Sequence, residues 1–267
     1  MYAFDYHRPT SLRQAAAMLQ KTEDAMIVAG GHTLLPTMKQ RLAQPSALID
    51  LGGLSELRGI EKKGRAVVIG AMATHADVAA SDVVREAIPA LAELAVTIGD
   101  PAVRHRGTIG GSVANNDPAA DYPAACLGLG ATIITNRRKI VAEEFFQGMF
   151  DTALDEGEII TKVSFPIPAK AAYAKFRNPA SRYALVGVFV MKRGSEIRVA
   201  VIGAGSSGVY RWSEAEAALA KRFSPKSLDG MSASADDMNS DIHADSEYRA
   251  HLVGVMARRA VQAAVAR

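Results

Sequence analysis

Two short glycine-rich segments contain the residues that could do chemistry in this chain. The first turn, Ala29 to Pro36, has the sequence AGGHTLLP, and the second turn, Thr108 to Ser112, has the sequence TIGGS. Glycine lets a backbone approach a ligand closely or adopt a positive φ, and consecutive N–H groups in such turns form anion-binding concavities. Hydroxyl side chains in both turns add donors. The pattern therefore indicates a phosphate site, although either turn alone is also typical of a connection that binds nothing.

The flanking elements predict how the two turns are presented. Met26 to Ala29 predicts a buried strand and Leu34 to Leu42 a helix, so the first turn lies where N–H groups and a helix dipole can face a phosphate. A helix over Pro89 to Ile98 precedes the second turn. The segment Ala114 to Asp121 follows it and offers polar side chains for ribose or amide contacts. If the two turns converge, their N–H groups can bind a pyrophosphate from two sides. Each charge-assisted N–H···O bond would contribute roughly 1.5–3 kcal/mol to binding.

Composition limits the classes of function. The chain has 267 residues, 49% of them hydrophobic and 22% charged, as expected for a soluble globular protein with two modest domains. Its net charge of +3 is too small to indicate a nucleic acid or an anionic membrane as partner. We find no signal peptide and no membrane-spanning run, which predicts a cytoplasmic protein. The single cysteine, Cys126, excludes an iron–sulfur cluster held by this chain alone, and no pattern predicts a metal site.

A third glycine segment, Gly203 to Gly208, matches G-x-G-x-x-G directly after a predicted strand. A Rossmann dinucleotide turn also needs a second strand ending in an acidic residue about 20 positions on. We find no such strand, and the segment is interpreted as a strand-to-helix turn.

The overall pattern predicts an α+β fold with a domain boundary at Pro166 to Lys170. Three strands follow that boundary, at Tyr173 to Arg177, Tyr183 to Arg193 and Glu196 to Gly203, and helices complete the C-terminal part.

The pair of motifs AGGHTLLP and TIGGS-x-x-N-x-DP-x-x-D resembles the FAD-binding medium subunit of molybdenum hydroxylases, closest to the carbon monoxide dehydrogenase type. The likeness extends nearly from end to end, through Phe4 to Pro9, Val68 to Met72 and Tyr248 to Arg259. It implies a two-subdomain, PCMH-like FAD-binding domain over 1–168, with subdomains of about 1–52 and 53–168. A small C-terminal flavoprotein domain over 169–267, a three-stranded antiparallel sheet with helices, would follow.

The resemblance also implies which residues contact FAD. Pyrophosphate contacts fall on both turns, at Ala29, Gly30, Gly31, His32, Thr33, Leu34, Thr108, Gly110, Gly111 and Ser112. The adenosine ribose falls on Asp121, and Asn115 and Asp117 lie in the same loop. The resemblance places Ile160 near the flavin or adenine, with Lys175 and Tyr183 beside the flavin ring. Arg182 departs from the family, which more often has Gly-Asp before the tyrosine.

By the same resemblance, the chain relays electrons. They would arrive from [2Fe-2S] clusters of a small partner subunit, fed by a molybdenum–pterin site in a large partner, in a dimer of heterotrimers. FAD would pass them to an external acceptor, and this chain would supply no catalytic residue of its own.

Three alternatives stay open at this point. The chain could be a self-contained flavin oxidoreductase, a nicotinamide-dinucleotide module built on Gly203 to Gly208, or an assembly protein that binds no flavin.

Overall fold

The fold was analysed in a computed structural model that describes residues 1–267. The α-helices are α1 (Leu12–Lys21), α2 (Leu34–Lys39), α3 (His75–Ala80), α4 (Asp82–Ala87), α5 (Pro89–Val96), α6 (Pro101–Arg104), α7 (Ile109–Asn115), α8 (Tyr122–Leu129), α9 (Ala142–Phe145), α10 (Ser213–Lys221) and α11 (Ser246–Val265). The strands are β1 (Asp5–His7), β2 (Met26–Val28), β3 (Ala47–Asp50), β4 (Ile60–Lys63), β5 (Ala66–Gly70), β6 (Thr132–Thr135), β7 (Lys139–Val141), β8 (Phe146–Gly148), β9 (Asp151–Thr152), β10 (Ile160–Pro166), β11 (Lys170–Arg177), β12 (Ala184–Arg193), β13 (Glu196–Ile202) and β14 (Tyr210–Arg211).

The strands form three main sheets that follow one another along the chain. The N-terminal sheet is parallel, in the order β1-β3-β2. The central sheet is antiparallel, in the order β4-β5-β10-β6-β7, and the C-terminal sheet is antiparallel, in the order β11-β12-β13-β14. A small hairpin of β8 and β9 lies apart from them. This arrangement confirms the α+β class.

The largest hydrophobic core joins the central sheet to the C-terminal sheet. Phe189 and Met191 on β12 point into it, together with the apolar residues of α5 and α8. Val188 and Val190, on the opposite face of the same strand, belong to a second core under α10 and α11. Because side chains alternate across a strand, the uninterrupted apolar run of β12 serves both cores. The N-terminal sheet has a smaller core of its own with α1.

The C-terminal sheet corrects two details of the sequence interpretation. A two-residue strand, β14, extends the three predicted strands to four by pairing antiparallel with β13. The segment Gly203 to Gly208 lies between these two strands, so its interpretation as a strand-to-helix turn was wrong. The Rossmann alternative fails for the same reason, because that motif requires a crossover to a parallel strand.

None of the helices combines the length and the apolar character needed to cross a membrane.

Candidate functional site

The two glycine turns converge on one cleft of about 530 Å³. Gly30 packs directly against the backbone that leads into the second turn: a Cβ at this position would lie 2.1 Å from the carbonyl oxygen of Arg106. His32 adds a second link, with its Nε2 at 3.2 Å from the carbonyl oxygen of Ala102. Most of the predicted cofactor residues line this cleft, namely Ala29, Gly30, Gly31, His32, Thr33, Leu34, Thr108, Gly110, Gly111, Ser112, Asn115 and Ile160.

The first turn supplies a row of backbone donors. It connects β2 to α2, and Gly31 adopts the left-handed conformation with φ of 73°. The N–H groups of Gly30 through Leu34 donate to no acceptor within the chain. Thr33, at the N-cap of α2, makes no capping bond with its side chain. Five consecutive free N–H groups beside a helix N-terminus form a concavity suited to phosphate oxygens.

The second turn uses its N–H groups differently, although it also begins a helix, α7. The N–H of Ile109 donates to the carbonyl of Ala73 at 3.0 Å, and that of Gly110 to the carbonyl of Ala71 at 2.9 Å. Gly111 N–H donates to the Thr108 hydroxyl at 3.1 Å. These bonds fix the turn onto the end of β5. The second turn therefore lines the cleft with the surface of Gly111 and with side chains, and not with free N–H groups of these three residues.

The two glycines of the second turn face opposite ways. A Cβ on Gly110 would lie 2.6 Å from the Cβ of Ala71, so this glycine permits close packing of α7 onto the core. A Cβ on Gly111 would meet only the Thr108 hydroxyl at 3.0 Å and the Ala29 Cβ at 3.9 Å. Gly111 is exposed, and the half-buried side chains of Ser112 and Asn115 line the same wall.

The third wall of the cleft comes from the start of β10, where Ile160 lies. Glu158 fixes this wall: its fully buried side chain accepts hydrogen bonds from Arg138 at 2.9 Å and from the Thr135 hydroxyl at 2.6 Å. The Arg138 guanidinium holds the pKa of Glu158 down at about 2, against its ordinary value of 4.5. The carboxylate is thus a structural anchor.

The cleft fits an FAD nucleotide on the structural evidence. Its free N–H groups match the oxygens of a pyrophosphate, and the bare surface at Gly111 lets such a group approach closely. Much of the remaining lining is apolar and can cover flat rings, as is usual for cofactor pockets. These apolar residues include Leu19, Met26, Ile27, Leu51, Met72, Leu154 and Ile159.

Asp121 and Lys175 do not line this cleft. Their side chains are almost fully buried and form an ion pair, with Lys175 Nζ at 2.9 Å from Asp121 Oδ2. The Tyr173 hydroxyl donates to the other carboxylate oxygen at 2.5 Å. Burial raises the pKa of Asp121 and lowers that of Lys175, while each partner's charge opposes the shift of the other. The ribose and flavin contacts that the resemblance assigns to these two residues stay predictions.

Asp117 and Tyr183 lie in a second pocket of about 390 Å³. Asp117 is only two residues away from Asn115, which lines the first cleft. The helix α7 ends at Asn115, and Asn116 follows in a left-handed conformation with φ of 42°. Asn116 then donates from its amide to the carbonyls of Gly148 and Asp151 at 2.7 and 2.8 Å, which fixes the hairpin of β8 and β9. One loop therefore connects the two pockets. Tyr183 remains 46% exposed at the second pocket.

Sequence reasoning missed several residues of the site. Ala71, Met72 and Gly107 line the cleft, and Ala71 also accepts the Gly110 bond through its carbonyl. A signal existed, since the segment Val68 to Met72 contributes to the family resemblance. The residue types of this segment do not indicate a ligand, because it lines the cleft with backbone and apolar groups.

Comparison with known proteins agrees with this site. Residues 2–168 match the family "FAD binding domain in molybdopterin dehydrogenase", and residues 171–264 match the "CO dehydrogenase flavoprotein C-terminal domain". The chain is 37% identical to the carbon monoxide dehydrogenase medium chain of Hydrogenophaga pseudoflava and 38% identical to the nicotine 6-hydroxylase medium subunit of Paenarthrobacter nicotinovorans. Each alignment covers 99% of this chain and 98% of the relative.

A solved structure of carbon monoxide dehydrogenase from Hydrogenophaga pseudoflava superposes with a TM-score of 0.90 at 37% identity, covering 99% of this chain and 98% of the other. The fold and cleft define an α+β flavoprotein subunit of an oxidoreductase. The chain belongs to the family of FAD-binding medium subunits of molybdenum hydroxylases.

Proposed function

We propose that this chain holds FAD as the electron relay of a molybdenum hydroxylase complex and passes electrons to an external acceptor. The observation that carries the proposal is the row of free N–H groups from Gly30 to Leu34, in residues that line one cleft together with the exposed Gly111. These groups would bind the pyrophosphate. Thr108 and Ser112 would hold the same group from the other side, with Ser112 and Asn115 offering side-chain hydrogen bonds.

The flavin ring is proposed to lie toward the second pocket. The loop from Asn115 to Asp117 leads from the pyrophosphate cleft to that pocket, and Tyr183 offers an exposed aromatic ring there. Aromatic rings pack well against a flat heterocycle. Ile160 would contact the nucleotide from the wall of the cleft. Asp121 and Lys175 would act indirectly, because their buried ion pair fixes β11, the strand that precedes the loop of Tyr183.

The redox chemistry belongs to the bound flavin, and the protein supplies binding, orientation and exclusion of water. The partners we propose are a small [2Fe-2S] subunit and a large molybdenum subunit, assembled as a dimer of heterotrimers in the cytoplasm. The chain contains no group of three or more potential ligands that could hold a metal ion. No residue of this chain is assigned to chemistry on the substrate.

The substrate of the complex is not determined by this chain. Relatives from carbon monoxide dehydrogenase and nicotine 6-hydroxylase are equally similar to it, at 37% and 38% identity over nearly the whole chain. Their medium subunits therefore share sequence regardless of what the complexes oxidise. This is expected if the substrate is bound by the large partner.

The test is purification of the affinity-tagged chain from its native host. We expect FAD at one equivalent per chain after gel filtration, with co-purifying subunits that contain molybdenum and iron. A folded chain with partners but without flavin would point to an assembly protein. A chain that retains FAD and oxidises a substrate without partners would point to a self-contained oxidoreductase. Either result would contradict the proposal.

A further inference from the structure

Arg104 and Arg182 lie together beside the carbonyl of Gly99. The Nη1 atoms of both side chains lie 3.4 Å from the same oxygen, the carbonyl of Gly99, just beyond the C-terminal end of α5. Arg104 also donates to the carbonyl of Ile98 at 2.9 Å. The two positive groups come from separate elements, α6 and the loop before β12, so the tertiary structure brings them together.

The two positive charges are only partly neutralised within the chain. Their side-chain hydrogen bonds go to carbonyl oxygens, and neither forms an ion pair with a carboxylate. The Asp100 carboxylate caps α6, where it accepts from the N–H of Val103 at 2.9 Å. This bond and the charges of Arg182 and Arg104 lower the pKa of Asp100, so its carboxylate offsets part of their charge. Two arginines beside one carboxylate keep a net positive charge, which a bound anion would neutralise. Guanidinium groups also match the geometry of carboxylate, phosphate and sulfonate oxygens.

The loop that contains Arg182 is closed by its own hydrogen bonds. Asn178 is buried and closes the loop: its side-chain oxygen accepts from the N–H groups of Ala180 and Ser181, and its own N–H donates to the carbonyl of Tyr183 at 2.8 Å. Within this loop Arg182 adopts φ of 64°, in the left-handed region that residues other than glycine rarely occupy. Arg182 is thus held at a defined place, next to the exposed ring of Tyr183.

The positions of Arg104 and Arg182 relate the pair to the transfer of electrons from the flavin to the external acceptor. Arg104 belongs to α6, whose Ala102 carbonyl contacts His32 of the first turn. Arg182 directly precedes Tyr183, beside which the proposed function places the flavin ring. An acceptor that approaches Tyr183 from solvent would meet the adjacent Arg182, with Arg104 beside it at the same Gly99 carbonyl.

We propose that Arg104 and Arg182 form an anion-recognition site for the external electron acceptor, and that this acceptor is a small molecule carrying a carboxylate, phosphate or sulfonate group. The inference rests on the proposed FAD function. With a quinone as acceptor, the quinone takes up two electrons and two protons to become a hydroquinone. The fully reduced flavin loses the same two electrons and two protons.

The test uses a matched pair of probes, 1,4-naphthoquinone and 1,4-naphthoquinone-2-sulfonate. The FAD-loaded chain is reduced anaerobically with a stoichiometric amount of dithionite, and its reoxidation by each probe is followed by stopped-flow absorbance. We expect the double variant R104Q/R182Q to react roughly tenfold more slowly with the sulfonate, as is typical of lost electrostatic steering. The rate with the neutral quinone should stay within about twofold of the wild type. The variant R259Q removes one positive charge from the exposed face of α11 and should leave both rates unchanged.

A binding measurement gives a readout that is independent of turnover. Calorimetric titration of the sulfonate into the oxidised chain should show binding that is lost in R104Q/R182Q. The binding should also weaken when ionic strength rises from about 0.01 M to 0.15 M, since the Debye length falls from roughly 30 Å to 8 Å.

The outcomes separate the two proposals. Absence of FAD from the purified chain contradicts the proposed function, whereas the titration can still be performed on the flavin-free chain and decides the anion site by itself. Equal slowing with both probes, or no slowing with either, overturns the inference. So does unchanged sulfonate binding combined with weaker assembly of partner subunits, because the two arginines would then belong to a subunit interface.

Discussion

The two glycine turns have similar sequences but use their backbones in opposite ways. In the first turn, the five consecutive N–H groups from Gly30 to Leu34 have no partner in the protein, and their residues line the cleft. In the second turn, the N–H groups of Ile109, Gly110 and Gly111 are already bonded within the protein. The comparison shows that a glycine pattern predicts close approach, while the identity of the approaching group depends on the surroundings.

The difference has a simple structural origin. Both turns begin helices, whose first N–H groups have no partner within the helix. At the second turn, the carbonyls of Ala71 and Ala73 lie against the helix start and accept two of these groups. The first turn follows the last residue of β2, and no neighbouring carbonyl accepts a hydrogen bond from the N–H groups of Gly30 to Leu34. The first turn can therefore bind a ligand through its backbone, and the second forms a fixed surface opposite to it.

The largest effect is expected from Gly30→Ala, which forces the two turns apart. The new Cβ would lie 2.1 Å from the carbonyl oxygen of Arg106, a backbone atom that cannot move aside freely. Overpacking of this kind costs about 1–3 kcal/mol of unfolding free energy. We expect that loss in chemical denaturation, together with complete loss of FAD on gel filtration.

Gly148→Ala is the matched control for stability, because its Cβ would meet only the Asp151 Cβ at 3.8 Å. It should denature like the wild type. A Gly30→Ala protein that keeps stoichiometric FAD would show that the convergence of the turns is not needed for binding.

The second prediction concerns Gly111→Val, which fills the cleft without disturbing the core. The Cβ would lie 3.0 Å from the Thr108 hydroxyl, which must shift slightly, and 3.9 Å from the Ala29 Cβ. The added methyl groups would occupy space that we assign to the pyrophosphate. Displacing two charge-assisted hydrogen bonds of about 1.5–3 kcal/mol each lowers FAD affinity at least about a hundredfold. Flavin fluorescence titration measures the affinity, and circular dichroism checks the fold. Retained FAD at one equivalent would count against a pyrophosphate role for the second turn, and Gly111→Ala should give an intermediate affinity.

The third prediction tests the wall that faces both turns, through Glu158→Gln. The folded-state pKa of Glu158 is about 2, below its ordinary value of 4.5, so its charge stabilises the fold above the ordinary value and ceases to do so as the pH falls toward 2. The variant should be about 1–3 kcal/mol less stable at neutral pH, as for lost hydrogen bonds to a charged group. The difference from the wild type should shrink on acidification. Denaturation curves at a series of pH values measure it, and a constant difference would refute the role of the charge.

The smallest effect compares the two threonines at the starts of the helices. Thr108 accepts the N–H of Gly111 with its side chain, whereas Thr33 makes no such bond. Thr108→Ala should therefore lower the unfolding free energy by about 1 kcal/mol. Thr33→Ala should change it by less than about 0.5 kcal/mol, as for an ordinary surface position. Equal losses of stability in the two variants would mean that the turns do not differ as described.

Local sequence signals predicted much of the fold and the centre of the site. The glycine turns, the α+β class and the three long C-terminal strands follow from apolar periodicity and turn residues. The short strand β14 was missed because two residues carry no periodic signal, and with it the nature of the Gly203 to Gly208 connection. Ala71 and Met72 were missed as site residues because apolar side chains do not by themselves indicate a ligand.

The sequence by itself determined where the backbone could approach a ligand, since only glycine permits such contacts, and it determined the family through two motifs with matching flanks. Tertiary structure alone decided which turn keeps its N–H groups free, because that depends on which carbonyl groups lie nearby. It also enclosed Asp121 with Lys175 and brought Arg104 to Arg182. Interactions between residues far apart in the chain depend on packing, and packing is a property of the whole fold.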